Sequence, residues 1–184
     1  MTSFAIDVPQ ALIARLKQGD AKAYEQLYRL FERPVYTLAW RMLGDADEAR
    51  EILHDAMLVL IDKLDQFRGE SPFWGWLRQI VLNETLMRLR KRRIDYYDEL
   101  PEPDASAQPP PAFSLESADL ERALAQLSPL TRSIVWLYFV EGYTHEEIAT
   151  SFSRTVSFSK TQVSRGTRKL REMLASTDTQ VAYG

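Results

Sequence analysis

The chain of 184 residues contains no cysteine, which excludes a disulfide scaffold and any thiolate-ligated metal site. Its two histidines, His54 and His145, are too few for a multi-histidine metal centre. The run His145-Glu146-Glu147-Ile148-Ala149 follows a zinc-protease pattern only until Ala149, which stands where the second histidine would be. A glycine-rich phosphate loop is absent, and so is a convergent set of acid, base and nucleophile. Neither an enzyme nor a bound cofactor or metal is therefore expected. No apolar run approaches the roughly 18 residues needed to span a bilayer, and the N-terminus lacks a signal-peptide layout. The expectation is a soluble cytoplasmic protein without a membrane partner.

Charge is present but sorted. The net charge is −3, yet Arg78, Arg88, Arg90, Lys91, Arg92 and Arg93 face only Glu84 within their stretch. From Arg154 to Arg171 there are six bases and no acid. Between Asp95 and Glu121 lie eight acids and no base. Two cationic segments joined by an anionic strap suggest a polyanionic partner held at two places.

Apolar residues recur at helical spacing and long strand-like alternation is missing, so the predicted fold class is all-α. Asp20 can cap a helix with Ala23, Tyr24, Leu27, Tyr28 and Phe31 on its inner face, stopped at Leu43-Gly44. Asp45 or Asp47 opens the next, with Ile52, Leu53, Ala56, Met57, Leu60 and Leu64 facing inward. Ser71 reads as a cap, with Pro72 in the first turn of a helix running through Leu77, Ile80, Val81, Leu86 and Leu89. Pro101, Pro103, Pro109, Pro110 and Pro111 mark a linker. The expected organisation is a first domain over 1–93, an acidic, proline-rich linker over 94–116, a second domain over 117–175 and a tail over 176–184.

The second domain carries the clearest motif. Ser128-Pro129 starts a helix bearing Ile134, Val135, Leu137, Tyr138 and Val140, ended by Gly142. Thr144 and Glu147 form a capping-box pair opening a short helix, and the cationic stretch from Ser157 to Arg171 follows. This spells a helix-turn-helix, in which Ile148, Ala149, Phe152, Phe158, Val163 and Leu170 pack inward and Val156 lies in the turn. Lys160, Gln162, Ser164, Arg165 and Arg168 are then free to meet major-groove edges and phosphates. A solvated cationic face on an ordinary helical hairpin is the plainer reading.

A second constellation runs from Phe67 through Arg68, Phe73, Trp74, Trp76 and Arg78 into Asn83 and the basic cluster. Aromatics beside arginines suit single-stranded nucleic acid, where base stacking is worth roughly 1 to 3 kcal/mol. Taken alone, Trp74 and Trp76 read first as core and rim packing.

Together these motifs, with Phe67-Arg68-Gly69, Phe73 through Asn83, Leu127-Ser128-Pro129-Leu130 and Glu141-Gly142-Tyr143-Thr144 in this order, resemble an extracytoplasmic-function sigma factor of the sigma-70 family over residues 8 to 175. The resemblance implies a region 2 bundle and a region 4 helix-turn-helix. It implies core RNA polymerase as partner, through the β′ clamp helices and the β flap, and promoter DNA as both duplex and non-template single strand. For the minus-ten element it points to Phe67, Arg68, Phe73, Trp74, Trp76, Arg78, Asn83, Arg88, Arg90, Lys91 and Arg92. For the minus-thirty-five element it points to Ser157, Ser159, Lys160, Ser164, Arg165 and Arg168.

The clamp-binding helix of that family carries an acidic motif, matched here by Glu48, Arg50, Glu51, His54 and Asp55. Arg50 replaces an expected acid and partly neutralises that surface. The resemblance extends to a subgroup with such a weakened motif, in which a Ser/Thr kinase phosphorylates a threonine of this helix. Glu51 would supply the missing negative charge here as a regulatory residue. An anti-sigma protein is the other expected regulator. Without the resemblance, Glu51 is an ordinary surface acid near a helix start. Two rival functions remain open at this level: a stand-alone helix-turn-helix regulator and a helical adaptor that binds no DNA.

Overall fold

A computed structural model describes residues 6–95 and 121–181, with side chains for 6–91 and 121–174. Most of the expected linker, the second domain's first residues, the Arg92 and Arg93 side chains and the last three residues of the tail lie outside what is described, while 94–95 and 176–181, expected as linker and tail, are helical. All regular elements among the described residues are helices: α1 (Gln10–Lys17), α2 (Ala21–Leu43), α3 (Ala46–Lys63), a 3-10 turn at Leu64–Gln66 and α4 (Phe73–Asp95). A helical stretch at 121–125, here α5, precedes α6 (Pro129–Phe139), α7 (His145–Ser151) and α8 (Val156–Val181). Contacts divide the chain into two compact units, Met1–Ala39 with Asp47–Thr85, and Trp40–Ala46 with Leu86–Gly184.

In the first unit, helix starts follow side-chain chemistry. Asp20 Oδ1 accepts from the backbone N–H groups of Lys22 at 2.8 Å and Ala23 at 3.3 Å, satisfying donors that the helix cannot. An Arg15 hydrogen bond, with these, holds the Asp20 carboxyl below its usual value. Ala23, Leu27, Phe31 and Val35 of α2 are fully buried with Ile52, Ala56, Met57 and Leu60 of α3 and Leu77 and Val81 of α4. Pro72 departs from expectation. It precedes the first helical residue, and its carbonyl accepts the first α4 hydrogen bond, from Trp76 at 3.3 Å.

The second unit is built around α6. Ser128 caps it with Pro129 in the first position, and Gly142, at φ 75°, lets the chain turn back so that Tyr143 N–H reaches the Leu137 carbonyl at 2.9 Å. The Thr144–Glu147 capping box opens α7, and its bonds to Thr144 hold the Glu147 carboxyl below its ordinary value. Ile148, Ala149 and Phe152 are buried as the spacing requires. Val156 is not in the turn: it is the first residue of α8, where Thr155 Oγ1 accepts from Phe158 N–H at 3.2 Å and takes the capping role. Val140 is 43% exposed, because the helix has already ended at Phe139.

Two features of this unit depend on contacts distant in sequence. Gly166 sits in mid-helix, and a Cβ there would meet Val135 Cγ2 at 2.5 Å, so the missing side chain is what lets α8 lie close against α6. Arg132, buried to 3% exposure, donates to the carbonyls of Leu124, Ala125 and Leu127 and so caps the end of α5 from another helix.

Candidate nucleic-acid interface

An α-helix turns about 100° per residue, so Ser157, Lys160, Ser164 and Arg168, spaced by three or four, fall on one line of α8. All four are exposed, and Arg165 lies exposed beside them. This is the outward cationic face expected of a recognition helix. Ser159 does not belong to it. Two residues from Ser157, it projects to the opposite side, is fully buried, and meets His145 Nδ1 at 3.0 Å through its hydroxyl. His145 in turn stacks on Tyr138, with ring centroids 4.5 Å apart and planes 15° apart. The three residues form a polar pin joining α6, α7 and α8. Gln162 is also less free than expected, since its side-chain oxygen accepts from Thr131 Oγ1 at 2.8 Å. Arg154 lies over the Phe158 ring, 5.6 Å from its centroid.

The aromatic constellation splits in two. Phe67 and Phe73 are buried and cannot present themselves to a base as the sequence suggested. Their rings pack edge to face, 5.1 Å apart, and Phe31 lies 5.6 Å from Phe73. Apolar burial of two such rings exceeds what stacking on one base returns. Trp74 and Trp76 rest on this cluster, half-exposed: Trp74 stacks on Phe31 at 5.8 Å, and Trp76 sits 5.3 Å from Phe67 and 5.5 Å from Phe73. The core thus holds two tryptophan faces at the surface. The intervening loop turns at Gly69, with φ 75°, and Arg68 stands exposed on it. Beside the loop a cleft of about 370 Å³ is lined by Ile6, Val8, Ile13, Phe67, Pro72 and Phe73.

Arg78 and Arg88 are half-buried along α4, Asn83 is exposed and accepts from Gln79 at 3.3 Å, and Arg90 and Lys91 are exposed. Arg90 Nε donates to the carbonyl of Ser151.

On α3, Glu48, Glu51, Asp55 and Asp62 recur every third to seventh residue and share one face. Glu51 and Asp62 are exposed, Glu48 and Asp55 half-exposed, with the exposed Leu58 among them. Arg50 and His54 lie exposed on the neighbouring side. Arg50 bonds to Asp47, with both side chains mostly in solvent, a pair worth little to stability. Across from α3, burial raises the Glu84 carboxyl, the Asp55 charge raises it further, and Lys63 partly offsets both. The acidic surface therefore continues from α3 onto α4. Among the described residues, no cluster of three or more His, Asp or Glu side chains could hold a metal ion.

Sequence reasoning missed Arg41, Glu121 and Arg132. Arg41 Nη2 meets Glu121 Oε1 at 2.6 Å, with side-chain exposures of 11% and 4%. The one available signal was Arg132, the only charged residue within the apolar run of α6.

Residues 27–94 match the family described as Sigma-70 region 2, and residues 117–170 match Sigma-70, region 4. The chain is 30% identical over 172 residues to the RNA polymerase sigma factor CarQ of Myxococcus xanthus, covering 91% of this chain and 98% of that one. This chain belongs to the extracytoplasmic-function sigma-70 family. It is 28% identical to the ECF RNA polymerase sigma factor SigW of Bacillus subtilis, over 88% of this chain and 94% of that one. A solved structure of the sigma factor RpoE with the anti-sigma factor NepR from Bartonella quintana is similar at 24% identity and a TM-score of 0.49, covering 84% of this chain and 98% of that one. The sigma factor is thus an RNA polymerase sigma factor and a transcription initiation factor. That sets aside the stand-alone regulator and the adaptor. None of its described helices is long and apolar enough to cross a membrane.

Proposed function

We propose that this sigma factor lends promoter recognition to core RNA polymerase without catalysis of its own, working in the cytoplasm through two modules, 1–93 and 117–175. The observation that carries the reading is the single exposed line Ser157, Lys160, Ser164, Arg168 on α8, opposite a buried face pinned by Ser159. That line enters the major groove of the minus-thirty-five element, with Arg165 and Arg168 suited to guanine edges and Lys160 to phosphate. Trp74 and Trp76, set on the buried Phe67 and Phe73, offer faces to unstacked non-template bases of the minus-ten element. Arg68, Arg78, Asn83, Arg88, Arg90, Lys91 and Arg92 follow its strands.

The acidic face of α3 with Leu58 at its centre suits the basic β′ clamp helices, and the second module suits the β flap. Glu51 is the exposed charge that completes this face beside Arg50, a fixed negative charge in a helix that holds no Ser or Thr for a Ser/Thr kinase to phosphorylate. An anti-sigma protein is the alternative control. The test is run-off transcription by purified core polymerase over a promoter library, with and without the chain. New start sites that appear only with the chain are expected, and their loss in Glu51→Ala. Absence of any new start site overturns the reading; undiminished activity of Glu51→Ala overturns the role of position 51 alone.

A further inference from the structure

The loop from Phe67 to Pro72 carries Arg68 and leads into Trp74 and Trp76, yet its own main chain does little to hold it. Among the described residues, 68–71 make no backbone hydrogen bond, and Gly69 turns the chain at φ 75°. The loop is therefore placed by its two ends. At the far end the Pro72 carbonyl accepts from Trp76 N–H at 3.3 Å. At the near end Phe67 N–H reaches the Leu64 carbonyl at 3.1 Å, and the Phe67 carbonyl accepts from Lys17 Nζ, 50 positions away in the chain, at 3.2 Å.

Lys17 reaches the loop from a fixed base. It is the last residue of α1, whose Leu12 and Leu16 are buried, and Arg15 ties that helix to Asp20 at 2.8 Å, the residue that caps α2. An ammonium bond to a carbonyl is charge-assisted and stronger than a neutral one. It also sets a direction. A trans peptide is planar, so its carbonyl and its N–H point opposite ways. With the Phe67 carbonyl turned to Lys17, the Arg68 N–H is turned away from it, which fixes how the chain leaves Phe67. The Phe67 ring meanwhile supports Trp76, 5.3 Å away, so one residue joins the loop to the tryptophan face.

We propose that Lys17 is a positioning residue for minus-ten recognition: through the Phe67 carbonyl it sets the 67–72 loop against Trp74 and Trp76 without itself touching DNA. This rests on the reading of that loop as part of the minus-ten surface. An exposed lysine beside a nucleic-acid surface has a second possible role, as a phosphate contact, and the two roles differ in what they do to specificity. A phosphate contact strengthens binding to every sequence alike and adds about one to the salt slope. A positioning residue leaves the salt slope alone and raises the preference for the right sequence, because it holds the reading groups in their productive arrangement.

The test uses holoenzyme assembled from core polymerase and the full-length parent, Lys17→Met or Lys17→Arg. Affinity is measured, across a range of salt, for a labelled single-stranded non-template oligonucleotide from a promoter found by run-off, with its minus-ten element intact or scrambled. Lys17→Met should lower the preference for the intact element by about threefold to tenfold, with the salt slope and the affinity for core polymerase unchanged. Lys17→Arg keeps a charged donor and should restore most of that preference. Since the side chain is exposed, the variants should unfold at the parent's urea midpoint. Lys17→Gln, polar but one bond shorter, decides the matter if Lys17→Met does not fold. Equal weakening on both oligonucleotides, with a salt slope lower by about one, makes Lys17 a phosphate contact and overturns the proposal. So does a preference that Lys17→Met leaves intact. A parent that does not distinguish the two oligonucleotides overturns the minus-ten reading itself, and the role of Lys17 with it.

Discussion

The Nη1 atom of Arg132 occupies the place that a side chain on residue 44 would need: a Cβ built on Gly44 would lie 1.3 Å from it. Arg132 cannot swing aside, because its other nitrogens are bonded to the carbonyls of Leu124, Ala125 and Leu127 at 2.6 to 3.0 Å. Burial pushes its guanidinium down to about 10, which leaves it charged at neutral pH and dependent on those carbonyls. Gly44 also holds φ at 71°, where a side chain is strained whatever the space. Gly44→Ala should therefore cost at least about 2 kcal/mol, read as a lower urea midpoint at unchanged slope. Adding Arg132→Met to Gly44→Ala should relieve the clash but not the φ strain.

Gly75 and Gly166 should respond to alanine in opposite directions. Both are helical, and alanine normally stabilises a helix by about 0.5 to 1 kcal/mol. Gly75 has open space around its Cβ position, so Gly75→Ala should raise the melting temperature. At Gly166 the new methyl would meet Val135 at 2.5 Å and Thr131 at 3.0 Å, and overpacking at about 1 to 3 kcal/mol should outweigh the helix gain. Thermal unfolding of the two variants side by side decides it.

Ser159 and Arg168 separate folding from recognition. Ser159→Ala leaves a part-buried His145 nitrogen without its partner and should cost about 1 kcal/mol of stability, with the sequence preference of promoter binding unchanged. Arg168→Ala, at a side chain 75% exposed, should leave the urea midpoint within about 0.5 kcal/mol of the parent. It should nevertheless weaken run-off from promoters with an intact minus-thirty-five element.

Glu84 sets a pH dependence. Burial and the Asp55 charge raise its carboxyl above the unfolded value, so the folded protein binds this proton more tightly than the unfolded chain does. Its contribution is favourable below the unfolded value of 4.5 and is lost as pH rises through the raised folded value. Glu84→Gln should stabilise the protein at neutral pH by less than about 1 kcal/mol, because the group is largely solvated. The gain over the parent should shrink as pH falls towards 4.5, measured by urea midpoints across that range.

Much of the site was legible in the sequence because its signals are local. The capping box Thr144–Glu147, the stop at Gly142 and the line of cations on α8 each depend on spacings of three or four residues. Legibility failed at Phe67, Phe73 and Ser159, residues whose chemistry suits a ligand but which the fold has turned inward. Phe67 lies outside any α-helix and has no periodicity to reveal its direction. Ser159 is two residues from Ser157, a step that helix geometry alone places on the other side.

By itself the sequence determined that the chain is helical, where most helices begin and end, and that positive charge is gathered into two segments. These properties follow from neighbours within one or two helical turns. Only the tertiary structure decided that Arg132 caps a helix other than its own, that Gly166 must lack a side chain, and that Arg41 finds Glu121 across 80 positions of chain. Such pairings are set by which apolar faces close on one another, and burial then dictates which polar groups must meet, a dependence that no local spacing encodes.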